Sequence, residues 1–104
     1  MHGSHANLYA DIELALNEDV SLTLVELART RNTDRHNIER AVRLATGLTF
    51  RRFKNQMKLE CAKTLLKEGL LVKEVAERLG YKSPEAFARF IKIATGNTPR
   101  SIRL

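Results

Sequence analysis

Leu24-Val25-Glu26-Leu27-Ala28 and Val72-Lys73-Glu74-Val75-Ala76 are one pattern written twice, 48 residues apart, with Glu26 falling on Glu74 and Ala28 on Ala76. The register holds as far as Asn32 on Gly80. One extra residue, Lys82, then moves the offset to 49: Asp34 meets Ser83, Arg40 meets Arg89, Arg43 meets Lys92, Thr46-Gly47 meets Thr95-Gly96, Thr49 meets Thr98 and Arg51 meets Arg100. The insertion falls in a polar, turn-like segment, where a change of length costs little. Each copy reads as a short helix, a turn and a longer helix ended by Thr-Gly, which is the layout of a helix-turn-helix. Ala28 and Ala76 are small where two helix axes would cross closely. Asn32 and Gly80 both tolerate the left-handed backbone of a tight turn. Helical hairpins also build plain bundles, so the duplication by itself assigns an architecture and not a function.

Working outward, the elements follow from spacing and caps. Leu8, Ile12, Ala15 and Leu16 recur at helical intervals and predict a first helix over roughly 7–17. Thr23 and Glu26 form a capping box ahead of a short helix to about Arg29. Asp34 is a good N-cap for a helix over about 35–45, which Gly47 ends. Thr49 opens a long helix, about 50–67, with Phe50, Phe53, Met57, Ala62, Leu65 and Leu66 inward, and Gly69 stops it. Val72, Val75, Ala76 and Leu79 make another short helix. Ser83 caps the next, with Pro84 at the first helical position, where its missing N–H costs nothing. Phe87, Phe90, Ile91 and Ala94 face inward, and Thr98-Pro99 starts a final short helix through Arg103. Nothing alternates with period two for long, so the expected fold class is all-α: about seven helices, forming two helix-turn-helix subdomains joined by a long linker helix. The expected divisions are 1–20 (flexible N-terminus and first helix), 21–49 (first helix-turn-helix), 50–68 (linker) and 69–104 (second helix-turn-helix).

The outer faces of the two longer helices carry the functional signal. His36, Glu39, Arg40 and Arg43 stand at i, i+3, i+4 and i+7, one solvent-facing stripe. Glu85, Ala88, Arg89 and Lys92 take the same four places in the second copy. The opposite faces are apolar: Ile38, Val42 and Ala45 in one, Phe87, Ile91 and Ala94 in the other. A helix with Arg midway along its outer stripe can enter a major groove, about 12 Å wide, and offer a guanidinium fork to guanine O6 and N7. The linker, about 27 Å long for eighteen residues, is suited to hold two such helices near one duplex turn apart, ~34 Å, on successive grooves of one DNA face.

Charge agrees with a polyanionic partner. The 104 residues carry a formal +6, but residues 1–20 hold four acids and no Lys or Arg, so residues 21–104 carry +10. Each Lys or Arg brought to a phosphate releases a condensed counterion. Nucleic acid is the first candidate, ahead of an anionic membrane surface. Apolar runs such as Leu70-Leu71-Val72 are far shorter than a membrane span, and no membrane is among the expected partners. One Cys excludes an internal disulfide framework and suits a reducing, cytoplasmic setting. Met1–His5 reads as a floppy terminus, on which His2 and His5 make a poor metal site. Paired carboxylates, a Gly-rich phosphate loop and Cys/His metal spacing are all missing, so no catalytic residue, metal or cofactor is expected.

On these residues the chain resembles the AraC/XylS family of bacterial transcription activators, over about 22–103. The second half is the more specific: Val72-Lys73-Glu74-Val75-Ala76-Glu77-Arg78-Leu79-Gly80-Tyr81, then Ser83-Pro84, Phe87-Ala88-Arg89, Lys92, Gly96-Asn97-Thr98-Pro99 and Arg103 match the family's signature in order and spacing. Leu59-Glu60-Cys61-Ala62-Lys63-Thr64-Leu65-Leu66 resembles its R-x-x-x-A-x-x-L-L linker helix. The resemblance implies two helix-turn-helix units on promoter double-stranded DNA, contact with RNA polymerase, and an N-terminal sensor or receiver domain outside this chain, in the bacterial cytoplasm at the nucleoid. It departs from the family at Lys58, where Arg is usual, and at Leu71, where a capping Ser is common. Val42 and Ile91 replace Phe, which predicts shallower packing of both longer helices, and Ile102 replaces an aromatic.

Carried onto matching positions, the resemblance makes Arg40 and Arg89 the leading base readers, the competing reading being surface ion pairs with Glu39 or Glu85. His36, Glu39, Arg43, Glu85, Ala88 and Lys92 complete the base-reading set. Glu39 can accept from cytosine N4, or belong to an ordinary exposed face. Ala88 can touch a thymine methyl, or simply avoid a clash. Thr49, Arg51, Lys82, Ser83, Thr98 and Arg100 lie at helix starts and are the phosphate candidates, or plain caps and solvated charges. Two other classes compete. A helical protein-interaction module docking RNA polymerase or a sensor domain would bind DNA only non-specifically, and a repair-type enzyme domain would need a reactive Cys61.

Overall fold

The computed structural model describes residues 5–103, which form seven helices: α1 (His5–Glu18), α2 (Leu24–Thr30), α3 (Arg35–Thr46), α4 (Phe50–Lys67), α5 (Val72–Arg78), α6 (Pro84–Thr95) and α7 (Pro99–Arg103). No strand occurs among the described residues. The terminus before His5, with His2, lies outside them. The chain divides into two compact units inside α4, one ending at Gln56 and the other beginning at Met57.

The first unit is α1, α2, α3 and the opening turns of α4. Helices of seven residues are not stable alone in water, so α2 depends on packing. Ile12, Leu16, Leu27, Ile38, Ala41 and Val42 are all essentially solvent-free and form its core. α1 lies chiefly against α3. Its Asp11 carboxylate accepts from Arg31 Nε at 2.7 Å, and Tyr9 sits 5.7 Å from the Phe53 ring. The acidic first helix therefore supplies two core side chains and a tie to the turn after α2. On α4, Lys54 Nζ donates to the Leu22 carbonyl, anchoring the α1–α2 connection.

The second unit gathers Ala62, Leu66, Val75, Ala76, Leu79, Phe87 and Ile91 as its core. Each fully buried Leu, Val, Phe or Ile side chain among them contributes roughly 1.5–3 kcal/mol over an exposed one. Lys58, where the family has Arg, donates to the Tyr81 hydroxyl at 3.0 Å and lies 5.1 Å from the Phe90 ring centre. Burial pushes the Tyr81 phenol up to about 12, which keeps it neutral as Lys58's partner. Tyr81 stacks obliquely on Phe87 and Phe90, at 5.8 and 5.6 Å. The ammonium is thus held by aromatic and hydroxyl groups around the start of α6.

The duplication survives at the level of single hydrogen bonds. In the two turns, Thr33 N donates to Ala28 O at 3.0 Å and Tyr81 N to Ala76 O at 2.9 Å. Asn32 and Gly80 take left-handed φ values of 52° and 89°. Asn32 is the only non-glycine described residue with positive φ. Asn32→Ala should destabilise the chain by about 1 kcal/mol, because alanine lacks asparagine's tolerance of that region; urea denaturation followed by circular dichroism measures the loss.

The caps differ between copies. Thr23 Oγ1 accepts from Glu26 N at 3.1 Å, and the Glu26 carboxylate accepts from Thr23 N at 2.9 Å. The Thr23 N–H, and then the Thr23 hydroxyl, hold the Glu26 carboxyl below the usual carboxylate range. That contribution is in place above the ordinary Glu pKa and is lost as pH falls through the lowered value. Leu71 has no side-chain acceptor, so α5 keeps only half of this arrangement, Leu71 N donating to Glu74 Oε1 at 2.9 Å.

Three expectations change. Val42 and Ile91 are not shallow: both are 0% exposed. A side chain smaller than Phe therefore still reaches full burial at both positions. Ala45 and Ala94 are exposed rather than inward. They occupy the last turn of each helix, beyond the end of the apolar layer. The first helix extends over His5–Glu18, a little beyond the expected 7–17, with Ile12 and Leu16 buried.

Candidate nucleic-acid interface

Each longer helix is held at both ends by side chains the sequence places there. Asp34 accepts from Asn37 N at 2.9 Å to start α3, and Ser83 accepts from Ala86 N at 3.1 Å to start α6. Both helices close on a left-handed glycine whose N–H donates 2.8 Å to the carbonyl four residues back, Gly47 to Arg43 and Gly96 to Lys92. The preceding threonines repeat as well. Thr46 Oγ1 donates to Val42 O at 2.7 Å and accepts from Leu48 N, while Thr95 Oγ1 donates to Ile91 O at 2.8 Å and accepts from Asn97 N. Two helices with identical end hardware and buried inner faces therefore present two comparable outer stripes.

On α3, His36, Glu39, Arg40 and Arg43 are all exposed. Glu39, Arg40, Arg43 and Thr49 line one shallow open depression. His36 Nδ1 lies 3.7 Å from Glu39 Oε1, an ion pair only when the imidazole is protonated. On α6, Glu85, Arg89 and Lys92 are exposed and Ala88 is half-buried between its larger neighbours. Lys92 Nζ donates to the Gly96 carbonyl at 3.1 Å, so one of its three donors is used on the helix end. Among the described residues, neither Arg40 nor Arg89 is in an ion pair. The expected competition from Glu39 and Glu85 is absent, and both guanidinium forks face solvent.

The phosphate candidates separate into two kinds. Thr49 and Thr98 act as caps, accepting from Arg52 N and Ser101 N, both at 3.2 Å. Ser83 is half-buried and engaged in the α6 cap. Arg51, Lys82 and Arg100 are exposed cations beside those caps. Charge is uneven: the segment through Gln56 holds eight basic and seven acidic residues, while that from Met57 holds ten and five.

Cys61 is half-buried. Burial pushes its thiol up, against the opposing influence of Arg78, which is the wrong direction for an activated nucleophile. Among the described residues, no group of three or more metal-ligating side chains occurs, and no helix is long and apolar enough to cross a membrane.

Residues 27–104 match a protein family described as a helix-turn-helix domain. The chain belongs to the AraC-type helix-turn-helix family. Its family is one of DNA-binding transcription regulators. This AraC-type domain is 40% identical over 63 residues to the HTH-type transcriptional regulator NimR of Escherichia coli K12, covering 61% of the chain and 23% of that protein. It is 27% identical over 78 residues to the HTH-type transcriptional regulator RipA of Corynebacterium diphtheriae, covering 75% and 23%. The matched part thus spans about a quarter of each curated relative's length. Among solved structures, the C-terminal domain of AraT, a response regulator from Geobacillus stearothermophilus, shares the fold with TM-score 0.83 and 24% identity, over 97% of this chain and 87% of that one. The DNA-binding domain of AdpA, determined in complex with a target DNA, superposes with TM-score 0.77 and 26% identity, over 92% and 88%.

Proposed function

We propose that the chain reads duplex DNA through two helices, α3 and α6, each placed in a major groove. Arg40 and Arg89 are the principal base readers. His36, Glu39 and Arg43 complete the first reading surface, and Glu85, Ala88 and Lys92 the second. The observation that carries this reading is the repeated stripe: two exposed guanidinium groups, outside any ion pair among the described residues, at equivalent registers on helices whose ends are built from the same hydrogen bonds. A lone basic patch would attract DNA without base preference; a duplicated fork at a fixed register supports recognition of two base elements.

Arg51, Lys82 and Arg100 supply phosphate contacts, assisted by Thr49, Ser83 and Thr98 at the adjoining helix starts. Neutralising any one of the three cations should weaken binding about equally on all sequences and reduce the salt slope by about 1. Anisotropy titrations across a salt series measure this.

The function is tested by selecting random duplexes on the purified chain. The expected product is two short elements about one helical turn, ~10 base pairs, apart. Inserting about five base pairs between them rotates one element by half a turn and should abolish tight binding. A selection that returns no preferred sequence overturns the proposal. In the whole protein, the domain serves a bacterial cytoplasmic regulator at the nucleoid, joined to an N-terminal sensor or receiver domain and working with RNA polymerase. On this reading the chain is a binding module, and the raised Cys61 thiol does not suit a nucleophile.

A further inference from the structure

The exposed side of each reading helix includes one aliphatic side chain that the polar stripe does not account for. Leu44 on α3 is 67% exposed and Ile93 on α6 is 81% exposed, the two most exposed large apolar side chains among the described residues. They are equivalent across the duplication, at the same offset of 49 that pairs Arg40 with Arg89. At 100° per residue, Glu39, Arg43, His36, Arg40 and Leu44 follow one another around an arc of about 140° on α3. Ala88, Lys92, Glu85, Arg89 and Ile93 trace the same arc on α6. In both copies the arc is closed, on the arginine side, by a branched aliphatic residue one turn beyond the arginine.

Folding does not explain them, because neither is in a core. Docking of a single protein partner would require an apolar side chain at one place, not at the same register of two separate units. What the two units have in common, on the proposed function, is DNA. The apolar feature that a major groove offers is the thymine C5-methyl group. We infer that Leu44 and Ile93 are thymine readers, each packing its side chain on a thymine methyl beside the base contacted by the neighbouring arginine. The inference rests on the proposed DNA reading and adds a base identity to each half of the site.

The test uses the full chain and the duplex obtained by selection. Each thymine is replaced in turn by deoxyuridine, which deletes the methyl and leaves every hydrogen-bonding group in place. With the native chain, one replacement in each half of the site should weaken binding about fourfold, the effect of losing one buried methyl-sized group. Leu44→Ala should abolish that sensitivity in one half only, and Ile93→Ala in the other only. Both positions are exposed and helical, where alanine is well tolerated, so the variants retain the fold. A native chain indifferent to every deoxyuridine overturns the inference, as does a variant that keeps full methyl sensitivity, or a selected site with no thymine in either half. Failure of the underlying DNA reading is distinct: no sequence would be enriched at all.

Discussion

Arg40→Ala and Arg89→Ala should each weaken binding to the selected duplex by about 5- to 150-fold, equivalent to roughly 1–3 kcal/mol, and each should relax base preference at one position. Both side chains are exposed and, among the described residues, outside any ion pair, so removing them costs the folded chain no core contact. Alanine is also the best helix former at such a site. The lost affinity therefore reports the DNA contact. Lysine is the informative control: Arg89→Lys keeps a positive charge near the phosphates but cannot make the planar two-point contact to guanine. It should retain binding to unrelated DNA and lose most of the discrimination. Anisotropy titrations against cognate and scrambled duplexes give both quantities, and unchanged affinity in both alanine variants would remove the basis for the assignment.

Phe87→Ala should cost about 3–5 kcal/mol of stability. Phe87 is 0% exposed, belongs to α6 and lies beside the Tyr81 ring at 5.8 Å. Truncation leaves a cavity where the second reading helix meets its own core. Small domains have only about 5–15 kcal/mol in total, and those with modest cores lie at the low end. The loss is thus large enough to displace α6 and eliminate sequence-specific binding together with it. Phe87→Leu, which refills most of the volume, should cost well under half as much and preserve binding. Urea midpoints followed by circular dichroism, read beside DNA affinity, separate this effect from that of the arginines. Arg89→Ala should leave the midpoint nearly unchanged, whereas Phe87→Ala should shift both.

The two predictions reflect how differently the site and its scaffold are encoded. The stripe containing Arg40 and Arg89 is legible because helical periodicity and short-range caps place it: Asp34, Ser83, Gly47 and Gly96 act within four residues of themselves. The same locality makes Asn32 and Gly80 readable as left-handed turn residues. Lys58 was harder to read. It departs from the family's arginine, and one of its contacts is the Tyr81 hydroxyl, 23 residues away in the chain. Nothing in the sequence distinguishes Leu44 and Ile93. An aliphatic residue in an amphipathic helix is indistinguishable from a core residue until the neighbouring elements are in place.

By itself, then, the amino-acid order determined the seven-helix plan, the duplication, the helix ends and the two arginine-bearing faces, because each depends on hydrogen bonds and periodicities a few residues long. How deeply each face is covered depends instead on the packing of one helix against another. Val42 and Ile91 vanish from solvent while Ala45 and Ala94 remain in it, and Arg31 binds Asp11, twenty residues upstream. Burial is a property of where other helices end and how closely they approach, and no spacing within a single helix records that.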